Sequence, residues 1–548
     1  MRRVTLATVC AALLATILIH ASALPFEPGY PYTFYYGSLH THTAFSDGGH
    51  PNDSTCASST THLATDAAPV DAYNIARGAG LDFLAVSDHN HQFNDACPGC
   101  SAAQIVQRYH DGLATAAAST IAGSFVALYG MEWGYISNPD AGFPNEGHVG
   151  VIESPKLFGW EPSACTIGSS CYYDVYTSPN AADYLTMYQT ALNNPSPWGA
   201  FGPFEHPSDG TKSAAGQGVD FNTFAFNTAA DDFIHTIPVF SGPATDFSTL
   251  GADTGARYAG DPMNGTQYSV YTSTDMYNRA LGAGFHVAPV ADFDTHCSNY
   301  GLATRDRTVV LATSLTKASI LDALHHRRVF ATSRKRAQLI YTMAANATTY
   351  HMGAGSVRAE GGAIGTNGSI TLHVNAFDPD GATVASIKIK EPVPNNTNGA
   401  ANVIASSTTA PFDATFTPPA GHHTYYAYVT LSTGDEMWSA PIWINQAGAA
   451  VADTTPPSAP TNLTAVSTTK RQATLNWNAA TDNVGVTGYT IWRAAAQGGP
   501  YSQVATVTSL TYSDGGLRSG STYFYYVTAS DAAGNVSAAT NTTSVTVK

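Results

Sequence analysis

The chain has 548 residues, of which 44% are apolar and 11% aromatic, enough to bury a large core and to exclude wholesale disorder. Charged residues make up only 12%, and 24 Lys+Arg stand against 40 Asp+Glu, for a net charge of -16. This balance excludes a general affinity for nucleic acid or for an anionic lipid surface, because nothing neutralises phosphate charge. At roughly 150 residues per domain, the length predicts about three or four domains.

The N-terminus has the pattern of a secretory signal peptide. Arg2 and Arg3 precede an apolar run over residues 4–19, and Ala21-Ser22-Ala23 then forms an A-x-A cleavage pattern. The run is short for an uncleaved membrane anchor, and small residues follow it. We therefore expect residues 1–23 to be removed and the protein to be secreted, into a periplasm or outside the cell, with no transmembrane anchor.

The cysteines that follow the predicted signal peptide are expected to form disulfides, because their number is even and the compartment is oxidising. They are Cys56, Cys97, Cys100, Cys165, Cys171 and Cys297. Cys165 and Cys171 suit a local loop, whereas Cys97 and Cys100 can close on each other or pair outward. A C-x-x-C pair can also be half of a zinc site, but no second pair has suitable spacing. Cys297 is expected to be disulfide-bonded rather than reactive.

Residues 30–335 alternate short apolar runs with helical patterns. The predicted strands are residues 33–39, 83–86, 125–129, 148–152, 199–204, 234–240 and 285–291. The predicted helices are residues 72–79, 102–118, 181–192 and 317–328. Strand–helix alternation predicts parallel βα units around one core, and roughly seven strands in this length suit a barrel.

Residues 336–448 are predicted to form a small antiparallel β-sandwich, because short β-rich runs are separated by Gly, Pro and Asn. The predicted strands are residues 369–376, 385–389, 425–430 and 438–444. Pro456 and Pro457 then mark a linker, since two prolines stiffen the chain and cannot continue a ladder.

A third unit spans residues 454–548, with predicted strands at residues 473–477, 488–494, 501–507 and 523–529. It resembles a fibronectin type III domain of the sort found in bacterial secreted enzymes, with residues 482–486 and 531–535 as matching stretches. Its aromatic residues are expected in the core; they are Trp477, Tyr489, Trp492 and Tyr523. The unit is also a candidate for binding a surface or a polymer.

Histidines and carboxylates collect at the ends of the predicted strands of the first region. His40 and His42 lie two residues apart along an extended segment, so their side chains point to the same side. The other groups are Asp47, Asp88-His89-Asn90-His91, Glu132, His148, Glu205-His206 and Asp292-Phe293-Asp294-Thr295-His296. In a βα barrel the C-terminal strand ends open onto one face, where the active site is built. Imidazole and carboxylate donors without a ligand cysteine suit zinc, manganese or iron, so a metal site is predicted there.

The ordered set H-x-H, Asp, Asp-His, Glu, Gly-His, His-Pro and Asp-x-His resembles the PHP family of metallohydrolases (polymerase and histidinol phosphatase) over about residues 36–333. Within that family, residues 303–308 and 320–332 resemble the branch of the CehA/McbA carbaryl hydrolases, and residues 438–442 resemble the end of its small β-domain. The resemblance implies an α/β fold: a distorted (βα)7 barrel followed by two all-β sandwich domains.

The resemblance also implies a ligand set by position. His40, His42, Glu132 and Asp294 would hold a first ion; Glu132 would bridge to a second, completed by His148 and His206; Asp47, His89 and His296 would hold a third. Glu132, His89 and Asp294 would also act in catalysis. Asp47 stands where some relatives carry His, and Asp292 is a further candidate beside the set.

The predicted function is a secreted metal-dependent hydrolase that uses a hydroxide held by two or three zinc, manganese or iron ions. A small-molecule or polymer-linked phosphoester is the preferred substrate, a carboxylester or carbamate of the CehA/McbA type is the alternative, and a non-catalytic secreted binding or adhesion protein is the second alternative. Arg305 and Arg307 could clamp a substrate anion, with pairing to nearby carboxylates an equal alternative. His91 could handle protons.

Overall fold

The computed structural model is a mixed α/β protein in which β-structure predominates. It describes residues 27–51, 66–90, 97, 99–135, 147–159, 174–176, 183–193, 200–205, 226–241, 273–302, 304–396, 399–447, 455–482 and 485–548. The predicted signal peptide and Cys56, Cys165 and Cys171 lie outside these residues. Cys97 and Cys100 close a disulfide on each other, and Cys297 is also disulfide-bonded, as expected. Among the described helices, none has the length and apolar character needed to cross a bilayer.

Within the described residues, the α-helices all precede residue 326. They are α1 (Pro69–Gly78), α2 (Ala102–Ser119), α3 (Asp183–Asn193), α4 (Thr228–Phe233), α5 (Ser273–Gly282) and α6 (Lys317–His325). Helix α2 begins where Gln104 Oε1 accepts from the backbone N–H of Ser101 at 2.8 Å. Its buried residues follow a helical spacing, which lays one face of α2 against the sheet. They are Ala102, Ile105, Tyr109, Gly112 and Ala116. A short 3-10 helix covers Arg358–Glu360.

The strands of the first region match the predicted set and add several elements. They are β1 (Thr33–Ser38), β2 (Phe83–His89), β3 (Val126–Tyr135), β4 (Gly147–Ile152), β5 (Phe158–Gly159), β6 (Val175–Tyr176), β7 (Gly202–Glu205), β8 (Ile234–Ser241), β9 (Ala288–Asp292), β10 (Arg307–Ala312) and β11 (Val329–Thr332). Strand β2 is buried along its whole length, which is typical of a strand with both faces covered.

Nine strands of the first region follow the order β11-β10-β1-β2-β3-β4-β7-β8-β9 in one sheet, and β5 and β6 form a separate two-stranded sheet. The pairs β1–β2, β2–β3, β7–β8 and β8–β9 are parallel, as predicted. The prediction of parallel units throughout is wrong at β4, which runs antiparallel to both β3 and β7. A parallel crossover needs about a dozen residues or more, usually including a helix, and residues 136–146 are fewer than that.

Beyond the named strands, the chain after β1 pairs with the chain after β9. Thr41 forms a parallel bridge with Thr295. The backbone N–H of His42 donates to the carbonyl of Thr295 at 3.0 Å, and the N–H of Asp294 donates to the carbonyl of His40 at 3.2 Å. The sheet therefore curls, and its first and last parallel strands meet at one mouth.

The second region consists of β-strands around the 3-10 helix. They are β12 (Gln338–Ala345), β13 (Thr348–His351), β14 (Ile364–Thr366), β15 (Ile370–Phe377), β16 (Val384–Pro392), β17 (Ala401–Ser407), β18 (Phe412–Phe416), β19 (Gly421–Leu431), β20 (Glu436–Ser439) and β21 (Ile442–Gln446). The single strand predicted at residues 438–444 is two strands, because the ladder stops at Ala440-Pro441, where proline has no N–H to donate. Strand β20 pairs antiparallel with β11, so the sheet of the first region continues into the second.

The third region is a sandwich of two antiparallel sheets with its own core. Its strands are β22 (Thr461–Val466), β23 (Ala473–Asn478), β24 (Val486–Ala494), β25 (Ser502–Val507), β26 (Thr511–Asp514), β27 (Thr522–Asp531) and β28 (Thr543–Thr546). One sheet has the order β22-β23-β26 and the other β25-β24-β27-β28. Trp477 and Tyr489 lie in the core and Tyr523 packs against it. Trp492 lies outside this core, contrary to the prediction, because side chains alternate along β24 and that of Trp492 points to the outer face.

Candidate metal centre

Strand ends of the curled sheet bring eight of the predicted ligands together. They are His40, His42, Asp47, His89, Glu132, His148, Asp294 and His296. His206 and His91, the other two predicted histidines, lie outside the described residues. The eight form three overlapping groups in which the possible ligand atoms lie within 4.8 Å of one another. His42, His89 and Glu132 each belong to two groups.

The first group consists of His40, His42, Glu132 and Asp294. The Nε2 atoms of His40 and His42 both lie 3.2 Å from Asp294 Oδ1, and 3.5 and 3.1 Å from Glu132 Oε2. On its other side, the His40 ring contacts Ser87 Oγ through Nδ1 at 2.7 Å, which holds its Nε2 toward the group. Asp294 has a φ of 46°, a left-handed conformation that is uncommon for a residue other than glycine and often marks functional sites.

The second group consists of His89, Glu132 and His148. Glu132 faces the Nδ1 of His148 through Oε1 and lies 3.2 Å from the Nδ1 of His89 through Oε2. The antiparallel direction of β4 explains why His148 takes part although it stands near the start of its strand. The first residues of β4 lie beside the last residues of β3, and His148 pairs with Gly134 there.

The third group consists of His42, Asp47, His89 and His296. Asp47 Oδ2 lies 3.5 Å from His296 Nε2 and 3.9 Å from His89 Nε2, and Asp47 Oδ1 lies 4.0 Å from His42 Nδ1. The His42 ring lies between the rings of His296 and His89, with centroid distances of 4.1 and 4.4 Å. The Asp47 side chain is 33% exposed whereas that of Glu132 is fully buried, so the third group faces solvent.

The carboxylates of Glu132 and Asp47 keep their charge. Burial alone would raise the pKa of Glu132, but the imidazoles of His148 and His89 hold it well below its ordinary value. Burial would likewise raise the pKa of Asp47, but the imidazoles of His89 and His296 hold it well below its ordinary value. Both groups are therefore anionic at neutral pH.

The imidazoles differ in their electrostatic surroundings. Burial lowers the pKa of His40 and lowers that of His89 to about 3, so each ring is neutral and offers one lone pair. Burial also acts to lower the pKa of His42, but hydrogen bonds to Asp294 and Glu132 outweigh it and raise that pKa well above its ordinary value. These carboxylates therefore stabilise positive charge on the His42 ring.

Two further carboxylates lie behind the first group. Glu205 Oε1 is 3.4 Å from His40 Nδ1, a contact that the sequence analysis missed although Glu205 directly precedes His206. Burial, with a contribution from Asp292, raises the pKa of Glu205 well above its ordinary value. Burial raises the pKa of Asp292 to about 8. Asp292 lies outside the three groups, and Asp294 lies within one.

The two candidate arginines contact other groups of the protein. Arg307 is buried, and its guanidinium donates to the backbone carbonyls of Thr304, Asp306 and Gly301 at 3.0, 2.6 and 2.9 Å. These three bonds brace the loop before β10, and the expected role of Arg307 in substrate binding stays a prediction. Arg305 Nη2 lies 3.4 Å from Asp435 Oδ1, as the alternative of carboxylate pairing describes.

Comparison with known proteins identifies the third region. Residues 458–546 match the family model of the fibronectin type III domain. This part of the chain is 47% identical over 93 residues to Chitinase A1 of Niallia circulans, covering 17% of this chain and 12% of the relative. It is 43% identical over 101 residues to Exoglucanase B of Cellulomonas fimi, covering 18% of this chain and 9% of the relative. The chain thus spans about a tenth of these curated relatives, and the resemblance to fibronectin type III domains is confirmed for this region alone.

Solved structures resemble two parts of the chain. An Fn3-like protein from Clostridium thermocellum is 32% identical, covers 17% of this chain and 96% of its own, and has a TM-score of 0.16. A two-domain protein from Bacteroides vulgatus, described as containing a predicted PHP-like metal-dependent phosphoesterase, covers 76% of this chain and 96% of its own. Its sequence identity is 14% and its TM-score 0.35.

Proposed function

We propose that the protein is a secreted, metal-dependent hydrolase of the PHP type that binds two or three divalent cations and cleaves phosphoesters. The curled sheet of the first region would be the distorted seven-stranded βα barrel of that family. One observation carries the proposal: three groups of imidazole and carboxylate donors overlap through the shared residues His42, His89 and Glu132.

The donor set fits zinc, manganese or iron. The groups contain nitrogen and carboxylate oxygen donors, the ligands that these ions accept. A neutral imidazole has one lone pair, so His42 and His89 would each ligate one ion and direct the other ring nitrogen toward a carboxylate of the neighbouring group. In the second group, His206 would complete the ligands, as the sequence resemblance implies.

Bound divalent cations would lower the pKa of a water molecule and stabilise the negative charge that develops on the attacked group. Glu132, anionic and fully buried, would be a ligand common to the first and second groups, because its carboxylate faces His42 through Oε2 and His148 through Oε1. Asp47, His89 and His296 would hold the cation that a substrate reaches first, since the third group is the one that faces solvent. A cluster of cations suits a phosphoryl centre, where charge spreads over several oxygens.

The test measures metal content and hydrolysis together. The mature chain and a His40→Ala/His42→Ala variant would be analysed by ICP-MS, then assayed with aryl phosphomonoesters, phosphodiesters, carboxylesters and carbamates. We expect two or three equivalents of metal in the wild type, a clear loss in the variant, and turnover of phosphoesters. His326→Ala is the matched control, because that half-exposed ring pairs with Asp322 and Glu360 instead.

Two results would contradict the proposal. Less than half an equivalent of metal in the wild type, after incubation with each ion in turn, would exclude the metal centre. Normal metal content with turnover of carboxylesters or carbamates alone would support the metal centre but contradict the assignment of phosphoesters as the substrate.

A further inference from the structure

Four aromatic residues of the third region lie outside its core. They are Trp492, Tyr501, Phe524 and Tyr526, which we call the aromatic face, and each is partly exposed. Along β24, Tyr489 and Ile491 are buried while Thr490 and Trp492 are not; along β27, Tyr525 and Val527 are buried while Phe524 and Tyr526 are not. Because side chains alternate along a strand, these aromatic residues belong to the outer side of the sheet.

The aromatic face is one contiguous cluster rather than scattered rings. Trp492 and Tyr526 are directly paired across β24 and β27, with ring centroids 5.8 Å apart and planes 19° apart. Tyr501 lies against Tyr526 at 4.7 Å. Phe524 lies two residues before Tyr526 on β27 and is paired with Ala494 of β24. Single exposed apolar residues need no explanation, but a contiguous patch on a sheet surface indicates an interaction site.

The side chains around the aromatic face are uncharged donors and acceptors. Trp492 Nε1 donates to Thr528 Oγ1 at 3.3 Å, and Thr490 Oγ1 lies 3.3 Å from Thr506 Oγ1. Gln503 Nε2 donates to Thr506 Oγ1 at 3.2 Å. The rim of the face is therefore made of hydroxyls and an amide.

The charged residues of these four strands do not point to the aromatic face. They are Arg493 and Asp531. Arg493 reaches across the sandwich to Asp514 on the opposite sheet, at 2.9 Å. Asp531 is buried and accepts from the backbone N–H of Asn535 at 2.9 Å. A charged partner would find no complementary charge here.

We infer that the aromatic face binds an uncharged polysaccharide. Sugar rings present flat C–H surfaces that pack on aromatic rings through burial of apolar area and dispersion contacts. Their hydroxyls pair with rim groups such as Thr506 and Gln503, which are not buried. Because a sugar polymer repeats, it can contact Trp492, Tyr526 and Tyr501 in succession. This inference is independent of the metal centre.

The experiment measures retention of the full mature chain on insoluble cellulose, chitin and starch. The protein left in solution would be quantified for the wild type, Trp492→Ala and Tyr526→Ala, with and without about 0.5 M NaCl, which screens exposed charges. We expect retention by at least one of these polymers that is insensitive to salt. Each variant should bind about tenfold more weakly, equivalent to about 1.4 kcal/mol.

Phe377→Ala is the matched control, because Phe377 is an aromatic residue with 45% exposure on β15, in another part of the molecule. Thermal melts would verify that each variant folds, and soluble oligosaccharides of the retained polymer, followed by tryptophan fluorescence, give a second measure of affinity. Three results would overturn the inference: no retention of the wild type by any of the three polymers, equal retention of the wild type and both variants, or self-association that Trp492→Ala abolishes without any polysaccharide binding.

Discussion

Asp88 is buried at the end of β2 and holds the turn that carries Asp47. Its carboxylate accepts from the backbone N–H of Thr43 at 2.6 Å, from Thr43 Oγ1 at 2.8 Å, from Ser46 Oγ at 2.9 Å and from the hydroxyl of Tyr129 at 3.0 Å. Asp47 directly follows Ser46, so these bonds fix where it can meet His89 and His296. A residue outside the ligand groups thereby determines the geometry of the third group.

We predict that Asp88→Ala destabilises the protein by about 3 kcal/mol or more, because several buried donors lose their acceptor at once. Chemical denaturation would measure the loss, and metal analysis should show that the variant retains less metal than the wild type. Asp111→Ala is the control, since that carboxylate is exposed on α2 and accepts a surface bond from Gln107. Equal stability of the two variants would contradict this role for Asp88.

The residues of the candidate centre differ in how far the sequence could reveal them. His40 and His42 were predictable because their spacing alone places both on one side of an extended segment. The contact of Glu205 with His40 was not, because it depends on how β7 and β4 pair across a long stretch of chain. The prediction that Trp492 lies in the core was wrong for a related reason. Tryptophan is often buried, but the position of Trp492 in the alternation of β24 directs its side chain away from the core.

At the scale of elements, local signals predicted where strands and helices lie better than how they pair. The helix predicted at residues 102–118 is α2 almost to the residue, because an apolar spacing over several turns is a strong signal. The direction of β4 depends on its neighbours, and only the short connection from β3 hinted at it. Strands β10 and β11 were not predicted as strands, and their partners β1 and β20 lie far away in sequence.

The packing of α2 on β3 gives a prediction in which helix propensity and contact oppose each other. Gly112 is in the middle of α2, where alanine would favour the helix by about 1 kcal/mol. A Cβ there would lie 2.2 Å from the ring of Tyr129, which is fully buried and bonded to Asp88. We predict that Gly112→Ala destabilises by about 1–3 kcal/mol, since the ring cannot move aside.

The measurement is thermal or chemical unfolding, with Gly78→Ala as the matched control. Gly78 ends α1 and is exposed, and a methyl group added there would meet no neighbouring atom within 4 Å, so alanine should be neutral or slightly stabilising. A stabilised Gly112→Ala variant would show that the interface between α2 and β3 is looser than its contacts indicate.

At the scale of the molecule, the first and second regions share one sheet and one set of buried aromatics. Tyr277 of α5 donates through its hydroxyl to the carbonyl of Ser439 on β20 at 3.1 Å and packs on Tyr426 of β19 at 5.3 Å. Tyr426 in turn donates to Asn278 at 2.8 Å. The core of the third region, by contrast, is a cluster of its own. Composition shifts along the sequence mark three units, and the resemblance of residues 438–442 to the end of a small β-domain led us to expect the second unit to belong with the first; the pairing of β11 with β20 joins these two.

We therefore predict that a chain ending at residue 447 folds and keeps the metal content of the full protein, whereas a chain ending at residue 335 does not fold. The shorter chain loses β20, which leaves β11 as an open edge that invites aggregation, and exposes the apolar surface around Tyr277. Removing residues 448–548 leaves both cores of the first two regions intact. Calorimetry and ICP-MS on the two truncated chains would measure the difference. A cooperative transition with undiminished metal in the chain ending at residue 335 would show that the first region is an independent domain, and that the pairing of β11 with β20 contributes little to its stability.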